Sequence, residues 1–284
     1  MVEWSVGPDT MPFLSDHVVR GVPTVPGAFI IAMAADAAQK LRPDLKVVQF
    51  ERTRFLRLVR AQEGRPAEVR AIARIAERAG DETVIQVQIV MDFVHKSGRV
   101  LGKDLLHTEI YVRMASSVRQ PSRMNGDANQ VAGVRLPDPY VLPGSPVQLN
   151  GVFKTMKEVE VGRTSRRADY KLNGNSRYGS DFDYLIPNVI LVDAFWRFGT
   201  VRANGNGGLS VYVPERCDSM KVFFDYADFD AESLRRAVTF YGANPRAEGD
   251  VLHVGPIDAF DSMGRMLLRV EGGVCRKFGD IEVH

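Results

Sequence analysis

The stretch "GAFIIAMAADAAQKL", Gly27–Leu41, decides the fold. Alanine is frequent and proline is absent until Pro43, so the spacing predicts a helix over these residues. From Ala28 to Ala35 every residue is apolar. A helix that is apolar all round is buried all round, so other parts of the chain have to enclose it.

The sequence downstream supplies the enclosure. "KVVQFERTRFLRLV" (46–59), "AEVRAIARIAER" (67–78), "ETVIQVQIVMDFV" (82–94) and "RVLGKDLLHTEIYVRM" (99–114) read as long strands, separated by the turn signals "EGRP", "AGD" and "KSG". In the second, Val69, Ala71, Ala73 and Ile75 alternate with polar or larger residues, a period near two. One buried helix followed by long antiparallel strands predicts an α+β class, with the sheet wrapped around the helix.

The pattern then recurs. Residues 116–145 are rich in Ser, Pro, Gly, Asn and Asp and read as a connection between domains. Beyond it, "NVILVDAFWRFGTV" (188–201) is a second, almost wholly apolar helix with Asn188 as its N-cap. The strand-like segments "GLSVYV", "MKVFFDYADF", "LRRAVTFYGA", "VLHVGPIDAFD" and "RMLLRVEGGVCRKF" follow. The organisation is therefore an N-terminal unit, 1–118, a linker, 119–146, and a C-terminal unit, 147–284, each with one buried helix and one set of strands. A duplicated fold commonly sets its site where the copies meet.

Composition excludes several functions. The 284 residues are 45% hydrophobic and 25% charged, enough for a sizeable core. A net charge of +2 is too small to argue for nucleic acid. The two cysteines, Cys217 and Cys275, form no C-x-x-C pair, so a metal or redox motif is not expected and two buried thiols in a reducing compartment are. No secretory signal is visible in "MVEWSVGPDTMPF", and apolar runs of about eight residues are too short to span a bilayer. A cytoplasmic protein is expected.

The chemistry gathers just before the first helix, in "DHVVRGVPTVP" (16–26). His17 stands upstream of a helix N-terminus, where backbone N–H groups are unsatisfied and the potential is positive. Gly21 allows close backbone approach, and its N–H could hold a carbonyl oxygen; Pro23 and Pro26 stiffen the loop. The remaining histidines, His95, His107, His253 and His284, lie in strand-like segments or at the C-terminus, without such surroundings. In the second helix Asp193 sits between Val192 and Ala194, with Arg197 one turn on, at i+4. Two readings stand: a buried ion pair, or a general acid raised by burial. A histidine base beside a carbonyl-binding N–H is built to take an α proton, and an acid opposite would protonate a β-hydroxyl. That reaction is dehydration of a 3-hydroxyacyl thioester, and it requires no metal or organic cofactor.

The spacing H-x-x-x-G-x-x-x-x-P at His17, Gly21 and Pro26 resembles the signature of polyketide synthase dehydratase domains and their fatty-acid synthase relatives. Asp193 stands where that family has an Asp in a D-x-x-x-Gln/His pattern. The resemblance covers essentially the whole chain, and it implies a double hotdog fold, two long helices each wrapped by an antiparallel sheet. It implies a hydro-lyase in which His17 is the base, Asp193 the acid, Gly21 the carbonyl donor, and Pro26 shapes the turn. The substrate would ride on the phosphopantetheine of an acyl carrier protein, the domain holding no cofactor itself. Three departures stand out. Arg197 replaces Gln or His; only Phe153 of "LNGVF" matches a Tyr-Gly-Pro-x-Phe stretch; and "IPN" replaces a His-Pro. They point to a divergent subfamily, such as the iterative enediyne or polyunsaturated-fatty-acid type, or to a changed outcome. The alternatives are a pyran-forming cyclase or isomerase, a hotdog thioesterase, and an inactive pseudo-dehydratase scaffold locked by an Asp193–Arg197 pair. The expected partners are an acidic carrier protein and, if the chain is part of a larger synthase, its other domains; a monomer and a homodimer both remain open. Candidate docking patches are Arg163, Arg166 and Arg167, and Arg52, Arg54 and Arg57.

Overall fold

In the computed structural model, residues 1–60, 66–95, 97–121, 131–172, 186–225 and 238–282 are described, those at 186–188 by their backbone alone. The N-terminal half consists of β1 (Val2–Val6), β2 (His17–Val19), β3 (Val22–Pro23), α1 (Gly27–Leu41), β4 (Lys46–Phe55), β5 (Ala67–Ala79), β6 (Glu82–Val94) and β7 (Val100–Ala115). The C-terminal half consists of β8 (Val134–Pro137), β9 (Val147–Leu149), β10 (Glu158–Val161), β11 (Ser165–Tyr170), α2 (Ile186–Thr200), β12 (Arg202–Ala203), β13 (Leu209–Val222), β14 (Val238–Ala243), β15 (Arg246–Glu248), β16 (Val251–Val254), β17 (Ile257–Phe260) and β18 (Met266–Ile281).

Helix α1 has the bounds expected of it, and it is buried from Ala28 to Ala35. It reaches solvent mainly towards its C-terminal end, where Lys40 pairs with Asp36 at i+4 (2.8 Å). It packs on β4, β5, β6 and β7 and also touches α2. The sheet around the helices runs β1-β5-β6-β7-β4-β13-β18-β17-β14-β11-β10-β8, with β12 on β13 and β16 on β18. Its seam is the antiparallel pair β4–β13, from Gln49 opposite Lys221 to Arg54 opposite Arg216, so the two halves share one hydrogen-bonded ladder.

A second, three-stranded sheet orders β3-β2-β9 and ties the halves together again. Its β2–β3 hairpin turns on Arg20 (φ +48°) and Gly21 (φ +79°). Two positive φ values in a two-residue loop make the type I′ turn, whose twist suits a hairpin. Strand β9 joins from the other half, placing Leu149 opposite His17.

Several elements differ from the sequence reading. Helix α2 starts at Ile186, so Asn188 lies inside it and is not its N-cap. Pro187 is in its first turn, where a missing N–H costs nothing. The segments "GLSVYV" and "MKV" belong to one strand, β13, and "VLHVGPIDAFD" is two, β16 and β17, broken at Gly255-Pro256. Within the expected connection of residues 119–146, β8 pairs with β10, and Asp138 and Tyr140 are buried. The rest of "MKVFFDYADF" beyond 225, the start of "LRRAVTFYGA", most of "EGRP", Lys96 and His284 lie outside the described residues.

The arginine patch at Arg163, Arg166 and Arg167 needs correction. Arg166 is 1% exposed. Its Nη1 donates to the carbonyl oxygens of Phe198 (2.9 Å) and Val201 (2.9 Å), at the C-terminal end of α2. A cation there satisfies orphan carbonyls and complements the helix dipole, and burial lowers the guanidinium pKa to about 10. Arg167 is paired with Asp169 (2.8 Å), which leaves Arg163 as the exposed member.

Candidate active site

His17 follows a short 3-10 helix, Pro12–Asp16, and opens β2. Its backbone carbonyl accepts from Thr24 N (3.0 Å), and its ring Nδ1 lies 2.7 Å from the Thr24 carbonyl oxygen. The hairpin therefore grips the residue at both backbone and ring. A carbonyl oxygen only accepts, so Nδ1 carries the proton and Nε2 keeps its lone pair. The ring leans on Phe153, centroids 5.4 Å apart. Desolvation lowers the imidazole pKa to about 4, and the charge of Arg197 acts in the same direction.

The strap from Thr24 to Pro26 leads from this hairpin into α1. Val25 N donates to Val59 O (2.8 Å), and the Pro26 carbonyl accepts the first helical bonds, from Phe29 N (3.0 Å) and Ile30 N (3.2 Å). Pro26 thus sets the entry angle of the helix. Gly27 and Ala28 are its first two residues, where an α-helix has N–H groups without intrahelical partners, and no side chain caps them.

From the other half, α2 presents Asp193 and Arg197. Arg197 Nε donates to Asp193 Oδ2 (2.9 Å), Nη1 to Asp138 Oδ2, and Nη2 to the Phe153 carbonyl (2.8 Å) and Thr155 Oγ1 (3.2 Å). The fork of the guanidinium is spread over four acceptors. Burial raises the Asp193 carboxyl to about 7 and lowers Arg197 to about 9. The cation beside Asp193 does not cancel this rise, because it is shared with a second, fully buried carboxylate, Asp138.

His17, Gly27, Ala28, Asp193, Trp196 and Arg197 line one cavity of about 470 Å³ between the halves. Most of its wall is apolar, and Leu56, Arg57 and Leu58 line it where they are exposed to solvent. Tyr140 also lines it, its hydroxyl donating to Tyr212 O (2.6 Å) and lying 2.9 Å from Thr200 Oγ1. Of the residues singled out in the sequence, the cavity brings together His17, Asp193 and Arg197. Phe153 stands behind His17 and offers its carbonyl to Arg197. Pro26 shapes the helix entry without lining the cavity. Gly21 is exposed at the hairpin turn and is not among the lining residues; the lining glycine is Gly27. Sequence reasoning missed Thr24, Gly27 and Asp138. Asp138 sits in "LPDPY", whose prolines suggest a loop and give no sign of burial. Among the described residues no group of three or more His, Cys, Asp or Glu side chains could hold a metal ion, and no helix is long and apolar enough to cross a membrane.

Known proteins resemble the chain in part of its sequence and in its fold. Residues 2–92 match the family model described as the polyketide synthase dehydratase domain, N-terminal part. The polyketide synthase-nonribosomal peptide synthetase hybrid himA of Aspergillus japonicus is 22% identical over 286 residues, covering 93% of this chain. This chain spans about 7% of the length of that curated relative. The dehydratase domain from the CurF module of curacin polyketide synthase superposes with a TM-score of 0.74 at 13% identity, covering 97% of this chain and 92% of that one. A trans-acyltransferase polyketide synthase enoyl-isomerase superposes with a TM-score of 0.66 at 14% identity, covering 97% and 99%. The fold is a double hotdog. The likeness to the polyketide synthase dehydratase domain lies in sequence over residues 2–92, which carry His17, and in fold over the whole chain.

Proposed function

We propose that the chain removes water from a 3-hydroxyacyl thioester, delivered on the phosphopantetheine arm of an acyl carrier protein, to give the α,β-unsaturated product. One observation carries this reading: His17 and Asp193, one from each half and with pKa values displaced in opposite directions, line the same apolar cavity. Near neutral pH His17 is an unprotonated base, and Asp193 keeps a substantial protonated fraction.

In the reaction His17 Nε2 takes the α proton. The electron pair of that C–H bond becomes the new Cα=Cβ bond, the Cβ–O bond breaks, and the Asp193 carboxyl gives its proton to the departing hydroxyl, which leaves as water. The free N–H groups that open α1, at Gly27, receive the thioester oxygen as charge builds on it. Arg197 Nε, bonded to Asp193 Oδ2, keeps the carboxyl in place through the step. A proton then passes from the His17 imidazolium to Asp193 through solvent and restores the starting state.

Arg57, exposed beside the cavity, together with Arg54, suits an acidic carrier protein. Arg52 is less available, since it pairs with Glu77 (3.1 Å) and lies over the Tyr111 ring. The location that goes with this role is the cytoplasm, in keeping with the two free buried thiols Cys217 and Cys275. The partners would include other synthase domains if the chain is part of a larger enzyme.

The test is incubation with a 3-hydroxyacyl pantetheine thioester, following loss of one water by mass. The expected result is conversion by the protein, and none by His17→Ala or Asp193→Asn. A folded protein that leaves every such thioester intact would overturn the reading. A second reading, double-bond isomerisation of an enoyl thioester, is favoured by the likeness to the enoyl-isomerase. It needs the His17 base and not the Asp193 acid, so an enoyl thioester shifted by Asp193→Asn would select it. A cyclase would instead give a ring product of unchanged mass. A scaffold would leave both substrates untouched, although the open cavity between His17 and Asp193 argues against one.

A further inference from the structure

We infer that Asp138 is a positioning residue that holds the charge of Arg197, so that Asp193 keeps its proton. The inference deepens the dehydratase reading and rests on it for its catalytic meaning, but the proton itself can be observed without turnover.

The argument starts from hydrogen-bond valence. Both carboxylate oxygens of Asp138 accept: Oδ2 from Arg197 Nη1, and Oδ1 from Tyr140 N (3.1 Å). The backbone of Asp138 is held in turn by Lys157, whose carbonyl accepts from Asp138 N (3.1 Å). A side chain with two N–H donors aimed at it, and 0% exposure, is an acceptor on both sides, which is the ionised form. Asp193 is placed differently. Among the described residues its one hydrogen bond comes from Arg197 Nε to Oδ2. Its other oxygen is left to carry a proton.

Charge counting gives the same assignment. Three ionisable groups from α2 and the preceding segment share a site largely closed to water: Arg197 is 5% exposed, Asp138 0% and Asp193 12%. With Arg197 positive and Asp138 negative, the site is neutral only when Asp193 is protonated. A second carboxylate charge would be uncompensated, which a buried site strongly disfavours. The other groups that face Asp193 do not alter the count. His17, across the cavity on β2, is neutral by burial; Tyr140 and Tyr170 are buried phenols whose pKa is raised; Arg57, Glu215 and Arg276 line the cavity where they meet solvent. Arg197, at the position where it could have locked Asp193 as a carboxylate, is instead neutralised by a residue 59 positions earlier in the chain.

The test follows the Asp193 carboxyl by 13C NMR, its signal assigned by its loss in Asp193→Asn, alongside the pH dependence of dehydration of a 3-hydroxyacyl pantetheine thioester. In Asp138→Asn the cation turns to Asp193, and its titration and the alkaline limb of the rate both move down by roughly 1–3 units. In the double variant Asp138→Asn with Arg197→Gln, both charges are gone and the titration returns to within about one unit of the unaltered protein. A purely structural role for Asp138 would reduce the yield of folded protein without moving either midpoint; an unmoved Asp193 signal in folded Asp138→Asn overturns the inference. Should that variant fail to fold, the double variant decides. A rise of more than about one unit would mean that the Arg197 charge had weighed on Asp193 all along, and would overturn the inference. The expected titration shifts in a protein that removes no water would uphold the inference and remove the dehydratase reading.

Discussion

The His17 ring nitrogen Nδ1 lies 2.7 Å from the carbonyl oxygen of Thr24, seven residues on across a two-strand hairpin. The contact fixes which nitrogen is basic and ties the base to the strap that opens α1. It also predicts a rate profile. The base works only when neutral, so kcat/KM falls as pH drops through about 4. The acid works only when protonated, so the rate falls as pH rises through about 7. A bell between these values is expected from initial rates in mixed buffers. A rate still climbing at pH 9 would remove Asp193 from the role of proton donor.

Gly21 is expected to matter for the turn and not for the chemistry. A Cβ there would meet nothing within 4 Å, so Gly21→Ala pays only for its positive φ, about 1 kcal/mol. Thermal unfolding should shift down by a few degrees. The rate should stay within about twofold, because the glycine that lines the cavity is Gly27, in the first turn of α1, and not Gly21. A tenfold loss of kcat in a folded Gly21→Ala protein would return the carbonyl-binding role to Gly21.

Gly151 is the opposite case. Its φ is +48°, and a Cβ would lie 2.1 Å from Asp16 Oδ2, a side chain that is itself buried. Asn150 N donates to Asp16 O (2.9 Å), so the same loop aligns β9 with β2 and carries Phe153 to the His17 ring. Gly151→Ala should cost more than about 2 kcal/mol in urea unfolding, by strain and clash together. It should also lower kcat by displacing His17. Unchanged stability would mean that the Asp16 carboxylate swings clear.

Arg166 is expected to behave as part of the core. Arg166→Leu strips the carbonyls of Phe198 and Val201 of their donor and should cost about 2–4 kcal/mol. Arg166→Lys should restore only part of the loss, since one ammonium can take over the carbonyls that Nη1 serves but not the Asn244 Oδ1 to which Nε donates (3.3 Å). Arg163→Ala, at an exposed site, should stay within about 0.5 kcal/mol. Equal unfolding midpoints for Arg163→Ala and Arg166→Leu would contradict the buried placement.

How far the sequence could be read depends on how local the cause was. The bounds of α1 and of β6 follow from composition and periodicity within the segment itself, and the structure agrees residue for residue. His17, Asp193 and Arg197 were legible because each breaks a local pattern: a histidine among turn residues, two charges in an apolar helix. Asp138 and Arg166 were not. Asp138 looks like a loop residue between prolines, and Arg166 like one of several arginines on a strand. What buries them is a partner 59 or 32 residues away, which no window along the chain contains. Asn188 failed differently: a good capping residue stood two positions inside a helix whose start was set by the backbone from Ile186 onward.

The β4–β13 ladder bears on how the chain can come apart. Each of these strands would be a bare edge if its half stood alone, and such edges recruit other chains. Joined, they leave neither half an independent unfolding unit, so denaturation should pass through a single cooperative step that melts the cavity and both helices at once. A chain cut within 122–130 would turn an intramolecular closure into a bimolecular one. Its two fragments would have to find each other through that seam, at a rate set by their concentration.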